Sequence, residues 1–427
     1  MRLFDTYTKS LIELPEPPGP VRMYVCGPTV YARAHIGNAR PFVVGMWLRS
    51  WLASTGYDAT LVHNITDIND KIYDAAPGAS ADLAARATEW YLEDTRDLGL
   101  GMPDHMPKAT EMVPQIVAFI ERLIGTGHAY PVEGDVYFRV SSFPEYGRLS
   151  GQRPEQVEEQ EPNPLKEDPR DFALWKANKP GEDTSWDSPW GRGRPGWHIE
   201  CSVMAEELLG TVFEIHGGGL DLVFPHHENE VAQSQALGRE FAKIWAHNGM
   251  LRFTGEKMSK SLGNVWTIRE TLDEWGRETA LVFFLTGHWR KPIDFSEQTM
   301  AQAAARAETL RNAFRLGAAE TDESLWQEFA DALDDDFDTP RALAVLHEWA
   351  SDGQLELLRR GLDLFGLASL SERAEAPPDV VDLAERRAAA RRERDFGEAD
   401  RLRGEVEAAG WEMRDDPGGG YTLVRRA

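Results

Sequence analysis

The stretch from Val21 to His63 constrains the fold most. Val21 to Cys26 (VRMYVC) is a short apolar run that Gly27-Pro28 ends. Beyond a loop through Tyr31, apolar residues recur at helical spacing: Phe42, Val43, Met46, Trp47, Trp51 and Leu52. Gly56 and Asp58 break that pattern, and Thr60-Leu61-Val62-His63 reads as a second strand. A strand, a helix and a strand in this order seed a doubly wound α/β domain. Such folds bind ligands beyond the carboxyl ends of their strands, where Cys26 and His35-Ile36-Gly37-Asn38 fall.

The α/β pattern stops and later resumes. Residues Ser80 to Ile124 are mostly helical by spacing, and Val136 to Val140 is a short strand. From Gly151 to Gly196 prolines, glutamates and tryptophans follow without periodicity. That stretch is expected to be an inserted, loop-rich subdomain, because Phe172, Leu174, Trp175, Trp186 and Trp190 need something to pack against. The acidic run Glu155 to Glu161 is expected to be solvated surface. Val212 to Ile215 and Ile244 to His247 read as further strands, with a helix after Pro225 between them. Beyond Ile268 the spacing predicts helices over 271–285, 297–316, 325–333 and 340–364. Pro377-Pro378 marks a linker, after which come a helical hairpin and a small element around Trp411 to Val424.

Length and composition set outer bounds. A chain of 427 residues exceeds one ordinary core, so roughly two to four domains are expected. No run of about 18 apolar residues occurs, which predicts no membrane span, and the first residues carry no secretory apolar stretch. Two cysteines far apart fit a reducing, cytoplasmic setting rather than a disulfide scaffold. The formal charge of -25 argues against a nucleic-acid partner as a whole-molecule sum. Local patches decide binding, however, and Arg386, Arg387, Arg391, Arg392 and Arg394 gather in the tail.

The residues from Trp197 to Glu230 (WHIECSVMAEELLGTVFEIHGGGLDLVFPHHENE) hold three kinds of chemistry. Glu230 follows His226 by four residues and His227 by three, so either histidine could share a helix face with it and grip a metal. Spacing does not choose between them. Cys26 and Cys201 could add thiolates, although a lone cysteine is more often core and a His-Glu pair more often a surface ion pair. His216-Gly217-Gly218-Gly219-Leu220-Asp221 is read as a turn after a strand, where bare backbone meets a ligand and the carboxylate takes ribose hydroxyls. A plain tight turn explains a glycine run equally well, and the spacing is not that of the dinucleotide fingerprint. Asn38 and His35, ahead of a helix, could donate to phosphate oxygens. Gly255 to Gly263 (GEKMSKSLG) sets Lys257 and Lys260 between glycine hinges, as a clamp on polyphosphate or simply a solvated loop.

HIGN near the N-terminus and KMSKS after the second α/β half are, as a pair, the signatures of class I aminoacyl-tRNA synthetases. Within that class the chain resembles the cysteinyl-tRNA synthetases, through YVCGPTVY, HIGNAR, NITDINDKI, DPRDFALWK, GRPGWHIECS, HGGGLDLVFPHHENE and KMSKSLGN. The resemblance implies a Rossmann-type α/β parallel-sheet catalytic domain with an inserted connective subdomain, followed by a mostly helical C-terminal half. Its expected bounds are residues 1–110 and 196–250 for the two catalytic halves and 111–195 for the insertion. Residues 251–300 would form the KMSKS loop and stem-contact segment, 301–376 a helical anticodon-binding bundle, and 377–427 a small tRNA-contacting domain.

The resemblance further implies one zinc ion per subunit on Cys26, Cys201, His226 and Glu230. ATP, accompanied by Mg2+, would meet His35, Gly37, Asn38, His216, Gly217, Gly218, Gly219, Asp221, Gly249, Leu251, Lys257 and Lys260. Gly27, Thr29, Thr66 and Trp197 would line the amino-acid pocket, and His35, Asn38, Lys257 and Lys260 would act in catalysis. The implied partners are L-cysteine, ATP and tRNA(Cys), with a cytoplasmic, monomeric enzyme and no membrane. Zinc takes a thiolate far better than a hydroxyl, so serine would be rejected without an editing site. Asn38 stands where the class tetrapeptide usually ends in histidine, and Asn69 where an aspartate is common. Two rivals share parts of this pattern: a mycothiol-type ligase joining cysteine to an amino sugar, and a non-catalytic tRNA- or metal-binding paralogue. The arginine-bearing tail disfavours the first, and the intact motif set disfavours the second.

Overall fold

The structure is a computed structural model that describes residues 1–152, 162–253, 266–315, 317–372, 376–415 and 420–425. β1 (Arg2–Asp5) and β2 (Ser10–Glu13) form an antiparallel hairpin. β3 (Pro20–Val25), α1 (Ile36–Ser54) and β4 (Asp58–His63) are the strand–helix–strand unit read from the sequence, and β3 and β4 pair in parallel. α1 buries nearly its whole circumference, which fits a helix covered on two sides. One side faces the sheet. From the other, Trp47 Nε1 donates to Phe365 O at 3.0 Å and Trp51 Nε1 to Asp334 Oδ1 at 3.0 Å.

α2 (Asp70–Ala75), α3 (Ser80–Asp97) and α4 (Val113–Gly125) lead into the insertion. The insertion is built on an antiparallel sheet of β5 (Ala129–Val132), β6 (Asp135–Phe138), β7 (Phe172–Ala177) and β8 (Gly193–Pro195), in that order. It is therefore less loop-rich than expected. The apolar run of β7 is too short to show a period, and its stability comes from packing: Phe172 stacks on Phe138 at 4.9 Å, and Trp175 is fully buried. Glu155 to Glu161 lie outside the described residues.

α5 (Trp197–Leu209), β9 (Val212–Gly219), α6 (Glu228–Gln235) and β10 (Phe241–Asn248) complete the layer that β3, α1 and β4 begin. Its four strands are all parallel and run in the order β10–β9–β3–β4. Here the structure corrects the reading of the glycine run. Gly217–Gly219 is not a turn but the last third of β9, paired with Ala246–Asn248. The residues are glycine because neighbours crowd them, not because the chain reverses.

Beyond this layer, β11 (Leu251–Phe253) pairs in parallel with a later strand, β12 (Ile293–Phe295). Between them, α7 (Ile268–Trp275) and α8 (Arg277–Leu285) replace the single helix expected over 271–285. Gly276 at φ 75° separates the two. α9 (Glu297–Ala313) and α10 (Trp326–Asp334) follow as expected. The segment 340–364 is two helices, α11 (Thr339–Ser351) and α12 (Leu355–Leu364), because Asp352-Gly353 interrupts it. The three-residue strands β11 and β12 had no sequence signal, being too short for alternation to register.

The chain divides into two compact units, Met1–Leu370 and Ser371–Ala427. The second is a pair of helices, α13 (Pro378–Arg392) and α14 (Phe396–Ala408), with an antiparallel hairpin of β13 (Trp411–Asp415) and β14 (Tyr421–Arg425). Its small core gathers Val380, Ala384, Val406, Trp411 and Met413.

Candidate active site

Three elements converge on one buried cluster. Cys26 directly follows β3, Cys201 lies in the second turn of α5, and His226, His227 and Glu230 flank the start of α6. Extended backbone at Phe224 (φ -139°, ψ 133°) turns the chain sharply into α6. The ligand atoms of Cys26, His226, His227 and Glu230 all lie within 4.8 Å of one another. Cys201 Sγ stands just outside that group, 3.7 Å from Cys26 Sγ and 3.8 Å from Asn64 Oδ1. Glu230 Oε1 is 3.2 Å from His226 Nε2 and 3.8 Å from Cys26 Sγ.

These residues fit a zinc ion. With Zn–S about 2.3 Å and Zn–N or Zn–O about 2.0 Å, tetrahedral neighbours stand roughly 3.8 Å apart for two sulfurs and roughly 3.3 Å for nitrogen and oxygen. The Cys26–Cys201 and His226–Glu230 separations are of that size. Burial pushes the Cys26 thiol and the Glu230 carboxyl well above their ordinary values, and holds His226 and His227 well below theirs. A divalent cation reverses the first pair of shifts by favouring thiolate and carboxylate. Among the described residues Glu230 Oε2 accepts no well-aligned hydrogen bond although the side chain is fully buried, His216 Nε2 standing 3.3 Å away. That is a costly condition unless something else meets it.

The two histidines differ in what else they touch. His227 Nδ1 is 2.7 Å from His247 Nε2 and its Nε2 is 3.3 Å from Cys26 Sγ, so both nitrogens are engaged. His247 Nδ1 in turn meets Thr6 Oγ1 at 2.8 Å. His226 uses Nδ1 on His198 Nδ1 at 3.0 Å, and its Nε2 faces Glu230. His216 was expected among the ATP contacts, but the structure places its ring in this cluster. It is fully buried, stacked on Tyr24 at 5.1 Å, with Nε2 3.3 Å from Glu230 Oε2, and burial lowers it to about 3.

Along the loop that follows Cys26 opens a crevice of about 270 Å³ lined by Thr29, Tyr31, Arg33, His35, Asn38 and Tyr91, among others. Thr29 and Thr66 lie side by side: Val30 N donates to Thr66 O and Thr66 N to Pro28 O, both at 3.1 Å. Gly27 N donates to Asn64 Oδ1 at 2.9 Å. Trp197 stacks on His226 with ring centres 4.3 Å apart, which joins the expected amino-acid pocket to the cluster. His35 sits at the N-cap of α1 with its ring over Gly37, where an added Cβ would come within 2.9 Å of Nδ1. Backbone bonds Ile36 N to Trp266 O and Ile268 N to Ala34 O, both 2.9 Å, tie this loop to the start of α7. Asp221 is exposed just past β9, and Gly249 and Leu251 lie just past β10. Lys257 and Lys260 lie outside the described residues.

Sequence reasoning passed over three residues that the geometry brings forward. Asn64 holds Gly27, Thr66 Oγ1 (3.3 Å) and Cys201 together. His247 orients His227. Arg40, on α1, is 1% exposed and reaches Gly249. Only the adjacency of Asn64 to a strand end gave a signal; the other two are visible only once the chain is folded.

Comparison with known proteins agrees with this geometry. Residues 14–305 match the family profile described as "tRNA synthetases class I (C) catalytic domain", and residues 328–353 match the DALR domain. The chain is 44% identical to a protein of Pseudothermotoga lettingae named "Cysteine--tRNA ligase", over all of both chains. It is 46% identical to a "Cysteine--tRNA ligase" of Ruegeria pomeroyi, over 99% of this chain and 96% of that one. Among solved structures, a Mycobacterium tuberculosis methionyl-tRNA synthetase in complex with methionyl-adenylate superposes with a TM-score of 0.61. At 14% identity over 82% of this chain and 88% of that one, this likeness shows a shared fold. The chain belongs to the cysteine–tRNA ligase family of class I aminoacyl-tRNA synthetases.

Proposed function

We propose that this enzyme activates L-cysteine with ATP and transfers it to tRNA(Cys). In the first step the cysteine carboxylate attacks the α-phosphate in line, and pyrophosphate leaves. In the second, a hydroxyl of the terminal adenosine of tRNA attacks the adenylate carbonyl, and AMP leaves. No side-chain nucleophile is needed, so positioning and charge stabilisation carry the rate. His35 and Asn38 donate to phosphate oxygens at the positive end of α1, and Lys257 and Lys260 take the developing charge. Gly217–Gly219, Asp221, Gly249 and Leu251 seat the nucleoside, while Gly27, Thr29, Thr66 and Trp197 hold cysteine.

Cys26, Cys201, His226 and Glu230 would hold zinc, which when bound prefers the substrate thiolate to a serine hydroxyl. What supports His226 over His227 is the closer approach of its Nε2 to Glu230 Oε1, 3.2 Å against 3.9 Å. ATP would enter with Mg2+, the enzyme would act as a cytoplasmic monomer, and the arginine-bearing unit Ser371–Ala427 would contact tRNA. The observation that carries this reading is the buried thiol–imidazole–carboxylate cluster, with a crevice lined by Thr29, His35 and Asn38 along the loop that follows Cys26. Cysteine-dependent pyrophosphate exchange, repeated with serine and followed by transfer to tRNA or to an amino sugar, tests it. Activation without tRNA charging would overturn the assignment in favour of the amino-sugar ligase.

A further inference from the structure

Arg40 is a buried cation with an unusual set of partners. Its side chain is 1% exposed. Nη1 donates to Gly249 O at 2.5 Å and, more distantly, to Met250 O at 3.4 Å, while Nη2 donates to His288 O at 3.1 Å. Among the described residues no carboxylate pairs with it. Burial lowers it only to about 10, so the guanidinium stays charged at neutral pH. A buried charge matched only by carbonyl dipoles is a costly way to join two segments, and an apolar side chain would tie them at less expense. The fork of a guanidinium does what neither methionine nor lysine can. It holds carbonyls from two separate segments in one plane, from inside the helix that begins at His35.

The segment it holds lies at the carboxyl ends of β9 and β10. Gly249 follows Asn248, which pairs with Gly219 across β9 and β10. Gly249 N donates to Trp289 O at 2.8 Å, and a Cβ at 249 would overlap the Lys291 carbonyl, so this turn has no slack on the far side. Met250 O also accepts from Ile293 N at 3.1 Å. On the open side, Met250 and Leu220 are among the few large apolar side chains left exposed (39% and 47%), and the Met250 sulfur lies over Gly219. Two exposed apolar residues across a glycine strand end form a seat for a flat aromatic base.

We propose that Arg40 is a positioning residue for ATP: from within α1 it fixes the 249–251 backbone and the Met250 side chain at the distance from Gly219 that the adenine occupies. This rests on the reading of Gly249 and Leu251 as nucleotide contacts. Arg40 never touches the nucleotide and acts only through the carbonyls it holds.

The test measures equilibrium binding of a non-hydrolysable ATP analogue to wild type, Arg40→Lys and Arg40→Met, with thermal stability and the KM for cysteine alongside. Arg40→Met should weaken the analogue by about tenfold or more while the cysteine KM stays within about twofold, and Arg40→Lys should fall between. Equal losses for both substrates would overturn the proposal, as would lower stability with unchanged nucleotide affinity or failure of both variants to fold. Wild-type pyrophosphate exchange, measured separately, tests the proposed function. Its absence, with analogue binding still weakened in Arg40→Met, would sink that function and leave the role of Arg40 standing.

Discussion

Replacing Gly218 by alanine puts one methyl group where the structure has no room for it. A Cβ there would stand 3.0 Å from His227 Cε1, 3.0 Å from Leu222 Cδ1 and 3.2 Å from His227 Nε2. Comfortable carbon–carbon contact is about 3.5–4.0 Å, so each neighbour must yield by a few tenths of an ångström. Leu222 is partly exposed and can swing away. His227 cannot, because it is fully buried and held by His247 at 2.7 Å, which is held in turn by Thr6. Overpacking of this kind costs about 1–3 kcal/mol, and stretching the His227–His247 bond adds about 1 kcal/mol. Gly218→Ala should therefore lower unfolding free energy by about 2–4 kcal/mol and raise the cysteine KM by displacing the ring that faces Cys26. Gly125→Ala is the control: it lies at the end of α4 with nothing within 4 Å, and should be neutral or stabilising by up to about 1 kcal/mol. Urea unfolding of both variants, with metal content and pyrophosphate exchange, reads the difference. A Gly218→Ala protein as stable as Gly125→Ala, with full metal and unchanged cysteine KM, would refute the reasoning.

Removal of the metal by a chelator should collapse the preference for cysteine over serine to the roughly hundredfold or less that shape alone supplies, as read by exchange with each amino acid. An unchanged ratio in metal-free enzyme would show that zinc does not select the substrate. Lys260→Ala should lower the exchange rate far more than it weakens ATP binding if its charge serves the transition state as proposed; equal losses would contradict that role. His63 makes stability depend on pH. Burial lowers its ring from 6.5 to about 4, where Nδ1 meets Val25 O at 2.9 Å and Nε2 meets Tyr91 OH at 2.6 Å. The unfolded chain takes up the proton first, so this stability is fully present above pH 6.5 and lost as pH falls toward 4, by up to about 3 kcal/mol. Urea midpoints at pH 7.5 and 5 should drop less in His63→Gln than in wild type, and identical drops would exclude His63 as the cause.

What the sequence disclosed and what it withheld follow from the kind of interaction involved. The β3–α1–β4 unit was readable because both its periods are local, and the apolar positions from Phe42 to Leu52 are those that α1 buries. The glycine run was misread for an equally local reason. Glycine after an apolar run usually marks a turn, whereas here it records crowding from Asp221, Leu222, His227 and Ala246, all of them later in the chain. Cys26 and Glu230 are 204 residues apart, and no spacing rule could join them. What joins them is the strand order β10–β9–β3, which sets the end of β3 beside the element that follows β9. The same folding separates His226 from His227. At three and four residues from Glu230 they are equivalent on a helix face, and only the folded geometry distinguishes them, with Nε2 3.9 Å from Glu230 Oε1 in His227 and 3.2 Å in His226. Arg40 is the furthest from legibility. A charged residue in a helix reads as solvent-exposed, and its burial depends on carbonyls of Gly249 and His288, more than 200 residues away, that accept its protons. Local periodicity thus specifies the scaffold, while the site is specified by which strand ends the topology makes neighbours. Its most consequential contacts are therefore those most distant in the chain.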